Sequence, residues 1–430
     1  MYYAHMLLRF TVENYQCFRD RVTLDLVPTA DKRHLGNVLE SAGNASLKVV
    51  SLYGSNASGK TTILRAFQYL RGLIIYSASE REVKGFTQLP FVFDPVSKGR
   101  PTSFEVEFVQ DSVRYQYGLS FDSTSVISEY LYAFPKKKRR IVFERDGQNF
   151  RFIDDRFIRK KIADNTSKSD LFVSSAAQLN DGECSAAYEW FAKMIPLVDY
   201  DVGRSLRALV RKMESDPEFK AYILKASKIA DFGITNIRDI NIGVAEDSGQ
   251  LVLDHIPDYR VEHTTDAFIG ELPIGMESRG TLRFLSVIGP VISTLMKGGL
   301  IVIDEIDMSF HTDLCSWIVG LFLDGNENRN GAQLIFNTHD MELLDQDRMR
   351  RDQIWFTIKD PVSNASKLVH LSDFRIRNDL NIRKAYANGS FGGKPFIAPD
   401  TLMERYHSGY HPERAHRYRR IDGVQLPKAP

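Results

Sequence analysis

Apolar residues recur along the 430-residue chain in three spacings, and each spacing predicts a different kind of element. Between residues 90 and 152, short runs such as S-F-E-V-E-F-V alternate apolar and polar positions, which is typical of an antiparallel sheet. Residues 184–231 carry apolar side chains three and four positions apart, which predicts helices. From Glu277 onward, helical stretches alternate with apolar runs that predict buried strands of a parallel α/β sheet. These runs are Leu300–Asp304, Leu334–Thr338 and Ile354–Ile358.

Four other stretches complete the expected α/β fold. Residues 7–27 predict two strands around a turn near Asn14 to Asp20, whereas the polar residues 28–47 predict a loop. Residues 170–180 form a strand-like apolar run that contains a glutamine near its end, and residues 233–274 predict short strands punctuated by glycine. No heptad pattern is sustained long enough for an extended coiled coil.

The stretch 54–62 reads G-S-N-A-S-G-K-T-T, which is a phosphate-binding loop of the form G-x-x-x-x-G-K-S/T. It follows a strand-like run at 48–53 and precedes apolar residues at helical spacing, so strand, loop and helix start come in the required order. The two glycines allow backbone N–H groups to turn inward around a phosphate of ATP. Lys60 would reach the β- and γ-phosphates and Thr61 would supply a hydroxyl to Mg²⁺. The candidate nucleotide-binding residues are Gly54, Ser55, Asn56, Ala57, Ser58, Gly59, Lys60, Thr61 and Thr62.

Two later strands end in groups that suit the same site. The run G-L-I-V-I-D-E places Asp304 and Glu305 at the carboxyl end of a buried strand, where α/β sheets bind ligands. Asp304 would hold Mg²⁺ and Glu305 would orient or polarise the attacking water. The run L-I-F-N-T-H ends in His339, whose imidazole can hydrogen-bond a γ-phosphate.

The turn E-S-R-G-T at 277–281 stands directly before a predicted helix. The hydroxyl of Ser278 and the small residue Gly280 at a helix N-terminus form a second anion-binding element. One phosphate is not easily wrapped by this turn and by the phosphate loop of the same chain, so its natural use is across a dimer. By itself the turn is explained by default as a capped helix start.

Charge and composition narrow the possible partners. The net charge of +1 argues against a basic coat over the whole protein. The local run Lys136–Arg140 (K-K-K-R-R) indicates either a charged hairpin loop or a contact with nucleic acid or a partner. The three cysteines are scattered, which predicts neither disulfides nor a metal cluster. The N-terminus lacks the features of a signal peptide, and the most apolar window, 284–303, contains Pro290 and Lys297. We therefore expect a cytoplasmic protein without a membrane span, and a helix followed by a buried strand in that window.

With these residues assembled, the chain resembles the ATP-binding-cassette ATPases, and among them the soluble heads of structural-maintenance, recombination-repair and OLD-type proteins. The shared order is an N-terminal strand pair with N-Y-Q-C-F at 14–18, the phosphate loop, an antiparallel lobe, an inserted helical lid, the signature turn, the acidic strand and the histidine strand. The resemblance implies an α/β fold of the ABC-ATPase head type, with a mixed sheet around the phosphate loop. It implies an N-terminal lobe at 1–180, a lid or interaction subdomain at 181–270, a C-terminal lobe at 271–397 and a basic polar tail at 398–430.

The resemblance also implies a catalytic glutamine. Gln178 falls where such heads place the residue that contacts Mg²⁺ and the attacking water, and Gln88 is the alternative. A closer similarity links residues 277–395 to the RloA/AbiLi type of ATP-binding subunit, which carries the E-S-x-G-T form of the signature. Compared with the common L-S-G-G-Q signature, Ser278 and Gly280 are kept, whereas residues 277, 279 and 281 differ.

The function implied by this resemblance is an ATPase that forms homodimers or higher oligomers through composite ATP sites. The leading hypothesis is a sensor and scaffold that controls a separately encoded effector, nuclease- or toxin-like, in antiphage defence or abortive infection. The alternative is a DNA-binding repair or maintenance ATPase that contacts nucleic acid through Lys136–Arg140 or through the tail at Arg414–Arg420. A third possibility is a nucleotide-gated interaction module that barely hydrolyses ATP.

Overall fold

The computed structural model describes residues 5–77, 86–136, 138–198, 201–239, 259–264, 268–344, 347–374 and 380–392. The predicted tail at 398–430 and residue 137 of the basic run lie outside these residues.

The strands in chain order are β1 His5–Glu13, β2 Val22–Asp25, β3 Val38–Ser41, β4 Asn44–Leu47, β5 Val49–Gly54, β6 Thr102–Gln110, β7 Val113–Phe121, β8 Val126–Phe134, β9 Arg140–Asp146, β10 Asn149–Arg151, β11 Ile195–Leu197, β12 Ile234–Asp239, β13 Tyr259–Thr264, β14 Ile269–Pro273, β15 Gly299–Ile303, β16 Ala332–Asn337, β17 Ile354–Lys359 and β18 Ser366–His370. The helices are α1 Lys60–Tyr76, α2 Pro95–Lys98, α3 Arg156–Asp164, α4 Phe172–Gln178, α5 Gly182–Lys193, α6 Val202–Ser215, α7 Pro217–Ile229, α8 Arg279–Lys297, α9 Thr312–Leu323 and α10 Ile382–Ala387.

A seven-stranded antiparallel sheet has the order β10-β9-β8-β7-β6-β1-β2. It confirms the strands predicted between 90 and 152 and the strand pair predicted at 7–27. The alternation in β6 explains its placement, because Phe104, Val106 and Phe108 are buried in the core while the residues between them face outward. Strand β1 pairs with β6, so the N-terminal pair is part of this sheet.

A six-stranded sheet with the order β11-β15-β16-β5-β17-β18 holds the phosphate loop. Its neighbouring strands are parallel except for the β17–β18 pair. Apolar cores cover both faces of β5: Val50 and Leu52 face the core shared with α1, whereas Val49 and Tyr53 face the core shared with α8 and α9. Coverage on both faces explains why these strands are continuous apolar runs in the sequence. The three strands predicted in the last third are confirmed.

Residues 28–47 were expected to be a loop, but they contain the hairpin β3–β4. The turn at Ala42 and Gly43 has positive φ at both positions, 52° and 76°, as a two-residue hairpin requires. Leu39 and Leu47 are buried, and the N–H of Leu47 donates to the Leu26 carbonyl. The hairpin is therefore held by contacts with distant strands, which local polarity does not reveal.

The expected strand at 170–180 is also wrong, because these residues form helix α4. The buried carboxylate of Glu129, on β8, accepts hydrogen bonds from the N–H groups of Phe172 (2.7 Å) and Val173 (3.0 Å). It serves as the N-terminal cap that the local sequence lacks. A carboxylate from another strand thus determines that this segment is helical.

The elements between α4 and α8 pack against two different cores. Helix α5 packs into the first core, where the rings of Trp190 and Phe108 lie 4.6 Å apart. Helices α6 and α7 and the small sheet β12-β13-β14 contribute instead to the second core, with α8. We therefore propose that the lid, predicted at 181–270, begins after residue 198. None of the helices in the described parts of the chain is both long enough and apolar enough to cross a membrane.

Removal of the Glu129 carboxylate is expected to destabilise the protein strongly. Glu129 also pairs with Arg145 at 3.4 Å, and both side chains are fully buried, so Glu129→Ala leaves a buried charge without its partner and α4 without its cap. The expected loss in the free energy of unfolding is about 3–5 kcal/mol. Glu144→Ala, which removes the surface partner of Arg151 on the same sheet, should cost less than about 1 kcal/mol. Urea denaturation measures both values, and equal losses would contradict the capping role.

Candidate nucleotide site

The phosphate loop is held in shape by two glycines that no other residue can replace. A Cβ atom at Gly54 would lie 2.3 Å from the hydroxyl oxygen of Thr357, a residue of the neighbouring strand β17. Gly59 has φ 113° and immediately precedes α1, and a Cβ there would lie 2.9 Å from the sulfur of Cys17. The loop therefore passes closely between β17 and the N-terminal turn, with the N-terminus of α1 directed at it.

Lys60 is folded back onto the loop. Its ammonium donates hydrogen bonds to the carbonyls of Gly54 (2.8 Å) and Ser55 (3.1 Å). Burial lowers the pKa of Lys60, and the charges of Glu305 and Asp304 partly offset this effect. A buried cation with nearby carboxylates and neutral carbonyl partners is suited to exchange those carbonyls for phosphate oxygens.

The carboxylate of Asp304 lies at the centre of the site. Its Oδ1 accepts hydrogen bonds from the Thr61 hydroxyl at 2.9 Å and from the amide of Asn337 at 2.5 Å. Asn337 is the last residue of β16, which lies between β5 and β15, and Thr61 and Asp304 come after those two outer strands. The structure thus brings together Thr61 and Asp304, two of the three residues predicted to be Mg²⁺ ligands.

These side chains fit a magnesium ion. Mg²⁺ binds proteins through one or two oxygen side chains and takes further oxygens from water and substrate phosphates. Thr61 and Asp304 present two such oxygens beside the phosphate loop. Within the described ranges, no group of three or more His, Cys, Asp or Glu side chains could hold a metal ion by itself. The pair is therefore suited to an ion that arrives with the nucleotide.

Glu305 occupies an unusual backbone conformation. Its φ is 48°, a left-handed value that costs a residue with a side chain about 1–3 kcal/mol. Its N–H donates to the side-chain oxygen of Asn337, and its carbonyl accepts from the Arg283 guanidinium at 3.1 Å. Asn337 and Arg283 therefore hold the conformation in place.

Asn337 and Arg283 were not identified from the sequence. Asn337 is fully buried at the end of β16, and a polar residue within an apolar strand was the signal that could have revealed it. Arg283 lies on α8 with 5% of its surface exposed, and burial lowers its pKa. Its bonds to the carbonyls of Asp304 and Glu305 join the helix that begins at the signature turn to the acidic strand.

His339 lies at the same edge of the sheet. The backbone N–H of His339 donates to the carboxylate of Asp307 at 3.2 Å, and much of the residue's surface is exposed. Burial of part of the ring lowers the pKa of His339, and the positive charge of Lys60 lowers it further. The lowered pKa favours the neutral imidazole, which has one donor and one acceptor nitrogen.

The signature turn is built as a helix cap. The hydroxyl of Ser278 accepts the N–H of Thr281 at 3.1 Å, and Glu277 bonds to His263 of the lid strand β13 at 2.8 Å. A Cβ at Gly280 would lie 3.4 Å from the carbonyl of Ser309, in the loop after the acidic strand. Over the part of the chain that the structure describes, no hydrogen bond joins residues 277–281 to the phosphate loop.

Gln178, the predicted ligand of Mg²⁺ and water, is the last residue of α4. The hydroxyl of Ser174 donates to the carbonyl of Ile74 at 2.6 Å, and the N–H of Leu171 donates to the hydroxyl of Ser77 at 2.9 Å. Helix α4 therefore lies beside the carboxyl-terminal half of α1 and runs back along it. Gln178 is exposed, and within the described residues no hydrogen bond joins its side chain to Thr61, Asp304 or the phosphate loop, so its role stays a prediction.

Two other side chains contact the loop. The Gln16 amide oxygen lies 3.4 Å from the hydroxyl of Thr62, whereas the alternative candidate Gln88 donates its amide to the carbonyl of Arg100. Burial raises the pKa of Tyr386, and a hydrogen bond from the Gly54 backbone partly offsets that rise. Helix α10 therefore brings a phenol against the first glycine of the loop.

Replacement of Asn337 by alanine is expected to weaken the Mg²⁺-dependent part of ATP binding. The change releases the Asp304 carboxylate and removes the acceptor for the Glu305 N–H, so we expect about a tenfold loss of affinity with Mg²⁺. Affinity in EDTA should change little, because the phosphate loop itself is intact. Titration calorimetry measures both. Asn330→Ala is a matched control, since the Asn330 amide likewise donates two hydrogen bonds, in this case to backbone carbonyls, but lies on the surface. Equal losses with and without Mg²⁺ would contradict this role.

Comparison with solved structures finds similarity to three heads of SMC proteins. The SMC head domain from Thermotoga maritima has 12% identity and a TM-score of 0.39, and the similarity covers 85% of this chain and 98% of that one. The SmcHead bound to the C-winged helix domain of ScpA has 13% identity and a TM-score of 0.41, with 85% and 97% covered. The Smc head with an extended coiled coil, bound to the C-terminal domain of ScpA derived from Pyrococcus furiosus, has 12% identity and a TM-score of 0.33, with 90% and 99% covered.

Sequence comparison gives the family. None of the curated proteins matches the chain. The family model described as "AAA domain, putative AbiEii toxin, Type IV TA system" matches residues 49–345, which is more than half of the chain. The match spans the phosphate loop, the signature turn, the acidic strand and the histidine strand. In the structure, a mixed sheet around the phosphate loop adjoins an antiparallel lobe, which is the arrangement expected from the sequence. The chain belongs to this AAA domain family of ATPases.

Proposed function

We propose that the protein hydrolyses ATP at a site shared by two copies of the chain. The observation that carries this proposal is the contact between Thr61 and Asp304, with Glu305 next to it and His339 at the same edge of the sheet. This arrangement provides a phosphate cradle, a pair of oxygen ligands and a carboxylate that can act on water.

Each side chain has one task in the proposed reaction. Lys60 and the N–H groups of the loop bind the phosphates, and Thr61 and Asp304 hold Mg²⁺, which neutralises phosphate charge when it is bound. Glu305 orients the attacking water and accepts its proton. Neutral His339 hydrogen-bonds the γ-phosphate and loses that bond after cleavage. Gln178 has no task in this scheme.

The signature turn supports a site between two chains. Ser278 caps α8, and no hydrogen bond within the described residues connects it to the phosphate loop of its own chain. A helix N-terminus with a small residue at Gly280 can bind an anion. We propose that it closes over the ATP of a second copy, so that ATP joins the two subunits.

We further propose that dimer closure controls a separately encoded effector, nuclease- or toxin-like, in defence against phage. Support comes from the family description, which names a putative toxin of a type IV toxin–antitoxin system. The E-S-R-G-T form of the signature supports the narrower RloA/AbiLi assignment, which stays a prediction. The second candidate, a DNA-binding repair or maintenance ATPase, has its support in the cations Lys136, Lys138 and Arg139 at the β8–β9 loop.

Two variants that are each inactive are expected to regain activity when mixed. Lys60→Ala removes the phosphate contact and Ser278→Arg blocks the signature turn, so each homodimer has two defective sites. A mixed dimer contains one site that combines the intact loop of one chain with the intact turn of the other. Equimolar mixing should restore about a quarter of the wild-type rate of phosphate release, because about half of the dimers are mixed and each holds one intact site.

The matched control for this experiment mixes Lys60→Ala with Asp304→Asn. Both changes fall in the same half of the composite site, so no combination of chains restores an intact one. Recovery of phosphate release in this control would contradict a shared site. The same conclusion would follow if the first mixture showed no recovery although both variants were folded.

Glu305→Gln is expected to abolish turnover and keep ATP binding. Loss of the carboxylate removes the group that acts on water, whereas the phosphate loop and Asp304 are untouched. The ATP-bound dimer should therefore accumulate, which gel filtration with ATP and Mg²⁺ detects as a shift to twice the monomer mass. A protein that binds nucleotide without hydrolysing it would show the same rate and elution before and after the change.

A further inference from the structure

The antiparallel lobe presents exposed apolar and basic side chains that do not belong to the nucleotide site. We call it the α3 surface and define it by Arg156, Phe157, Ile158, Lys160 and Lys161 of helix α3 together with Lys136, Lys138 and Arg139 of the β8–β9 loop. The two parts adjoin, because Arg140 at the end of that loop bonds to Asp154, just before α3, at 3.0 Å.

Helix α3 is fixed firmly from its inner side. The guanidinium of Arg159, with 1% of its side chain exposed, donates to Asp181 at 2.7 Å and to the carbonyl of Val142 at 3.0 Å. Ile162 and Ala163 are buried on the same side. The inner face therefore holds the helix, and the outward side chains are not needed for its packing.

Large apolar side chains lie on the outer face. Phe157 is 73% exposed and Ile158 is 58% exposed. The two residues are consecutive in one helix. Single exposed apolar residues are normal on protein surfaces, but adjacent large ones indicate a contact site.

The cations around these side chains are not neutralised by neighbouring acids. Arg139 lies over the ring of Tyr132 at 4.7 Å, and Lys161 lies over the ring of Phe157 at 4.4 Å. No ion pair in the described part of the chain involves Lys136, Lys138, Arg139, Arg156, Lys160 or Lys161. Arg140 and Arg151, in contrast, are paired with Glu183 and Glu144. The α3 surface thus combines apolar anchors with an excess of positive charge.

We propose that the α3 surface binds an acidic segment of a partner protein that inserts apolar side chains beside Phe157 and Ile158. Protein interfaces combine a few buried apolar or aromatic anchors with complementary charge around them. Nucleic acid is the less suitable occupant, because its interfaces are polar and hydrated and the aliphatic side chain of Ile158 offers nothing to phosphates. This inference rests on the proposed function in one respect: the partner would be the effector that the ATPase controls.

The test uses the full-length protein without nucleotide and a labelled synthetic peptide composed of Asp, Glu, Leu and Phe. Companion probes are the same peptide with Ser in place of Leu and Phe, a labelled DNA duplex, and phosphatidylcholine vesicles that contain phosphatidylserine. The test variant is Phe157→Ser with Lys161→Glu. The matched control is Tyr222→Ser with Lys225→Glu, because α7 also presents an exposed aromatic residue and an exposed lysine.

We expect the Leu/Phe peptide to bind and the test variant to weaken it about tenfold or more, while the α7 control binds like the wild type. The Ser peptide should bind at least about tenfold more weakly than the Leu/Phe peptide, since charge alone provides little affinity. Preferential binding of the duplex or of the vesicles, lost in the test variant, would overturn the proposal in favour of nucleic acid or membrane. Absence of binding by any probe would also overturn it.

Failure of this proposal is distinguishable from failure of the proposed ATPase. Neither Phe157 nor Lys161 belongs to the nucleotide site, so the test variant should keep the wild-type rate of phosphate release and the wild-type melting temperature. Loss of peptide binding with an unchanged ATPase rate supports the proposal. Loss of both would indicate that the variant disturbs the lobe and would overturn the assignment of Phe157 and Lys161 to an independent surface.

Discussion

The hydrogen bond between Thr61 and Asp304 depends on the order of strands in the central sheet. Strand β16 lies between β5 and β15, so the carboxylate of Asp304 meets the hydroxyl of Thr61 across the end of β16. The parallel register aligns Ile303 with Phe336 and Asn337 with Leu52, so β15 and β16 end within one residue of each other and β5 continues two residues further, to the phosphate loop. Asn337 fills the gap with one bond to Asp304 and one to the Glu305 backbone. A slip of one residue in either pairing would turn these side chains to the other face.

The site concentrates features that oppose stability, and the rest of the fold compensates for them. Glu305 has positive φ, and burial lowers the pKa values of Lys60 and Arg283. The two apolar cores on either side of the sheet, together with the pairs made by Asn337 and Arg283, hold this arrangement. Helix α8 carries Ser278 at its start and Arg283 one turn later, so a movement of the signature turn would reach the acidic strand through one rigid element.

Much of the fold followed from local pattern. The helix after the phosphate loop and the strands at 299–303, 332–337 and 354–359 were predicted because their apolar spacing and flanking residues agree with their surroundings. The prediction failed where a distant group decides the outcome. Glu129 caps α4 from a strand 43 residues earlier, and the hairpin β3–β4 is held by β1 and by Leu26, directly after β2.

The sequence by itself determined the phosphate loop, the acidic pair and the histidine, because each is a short motif whose geometry arises from neighbouring residues. The tertiary structure alone decided which side chains complete the site. Thr61 and Asn337 are separated by 276 positions, and only the strand order places them together. The tertiary structure also decided that Arg159 points inward and Phe157 outward on α3, since the buried acid Asp181 pairs with the former. Spacing along the chain specifies local geometry, whereas long-range pairing depends on how the elements pack.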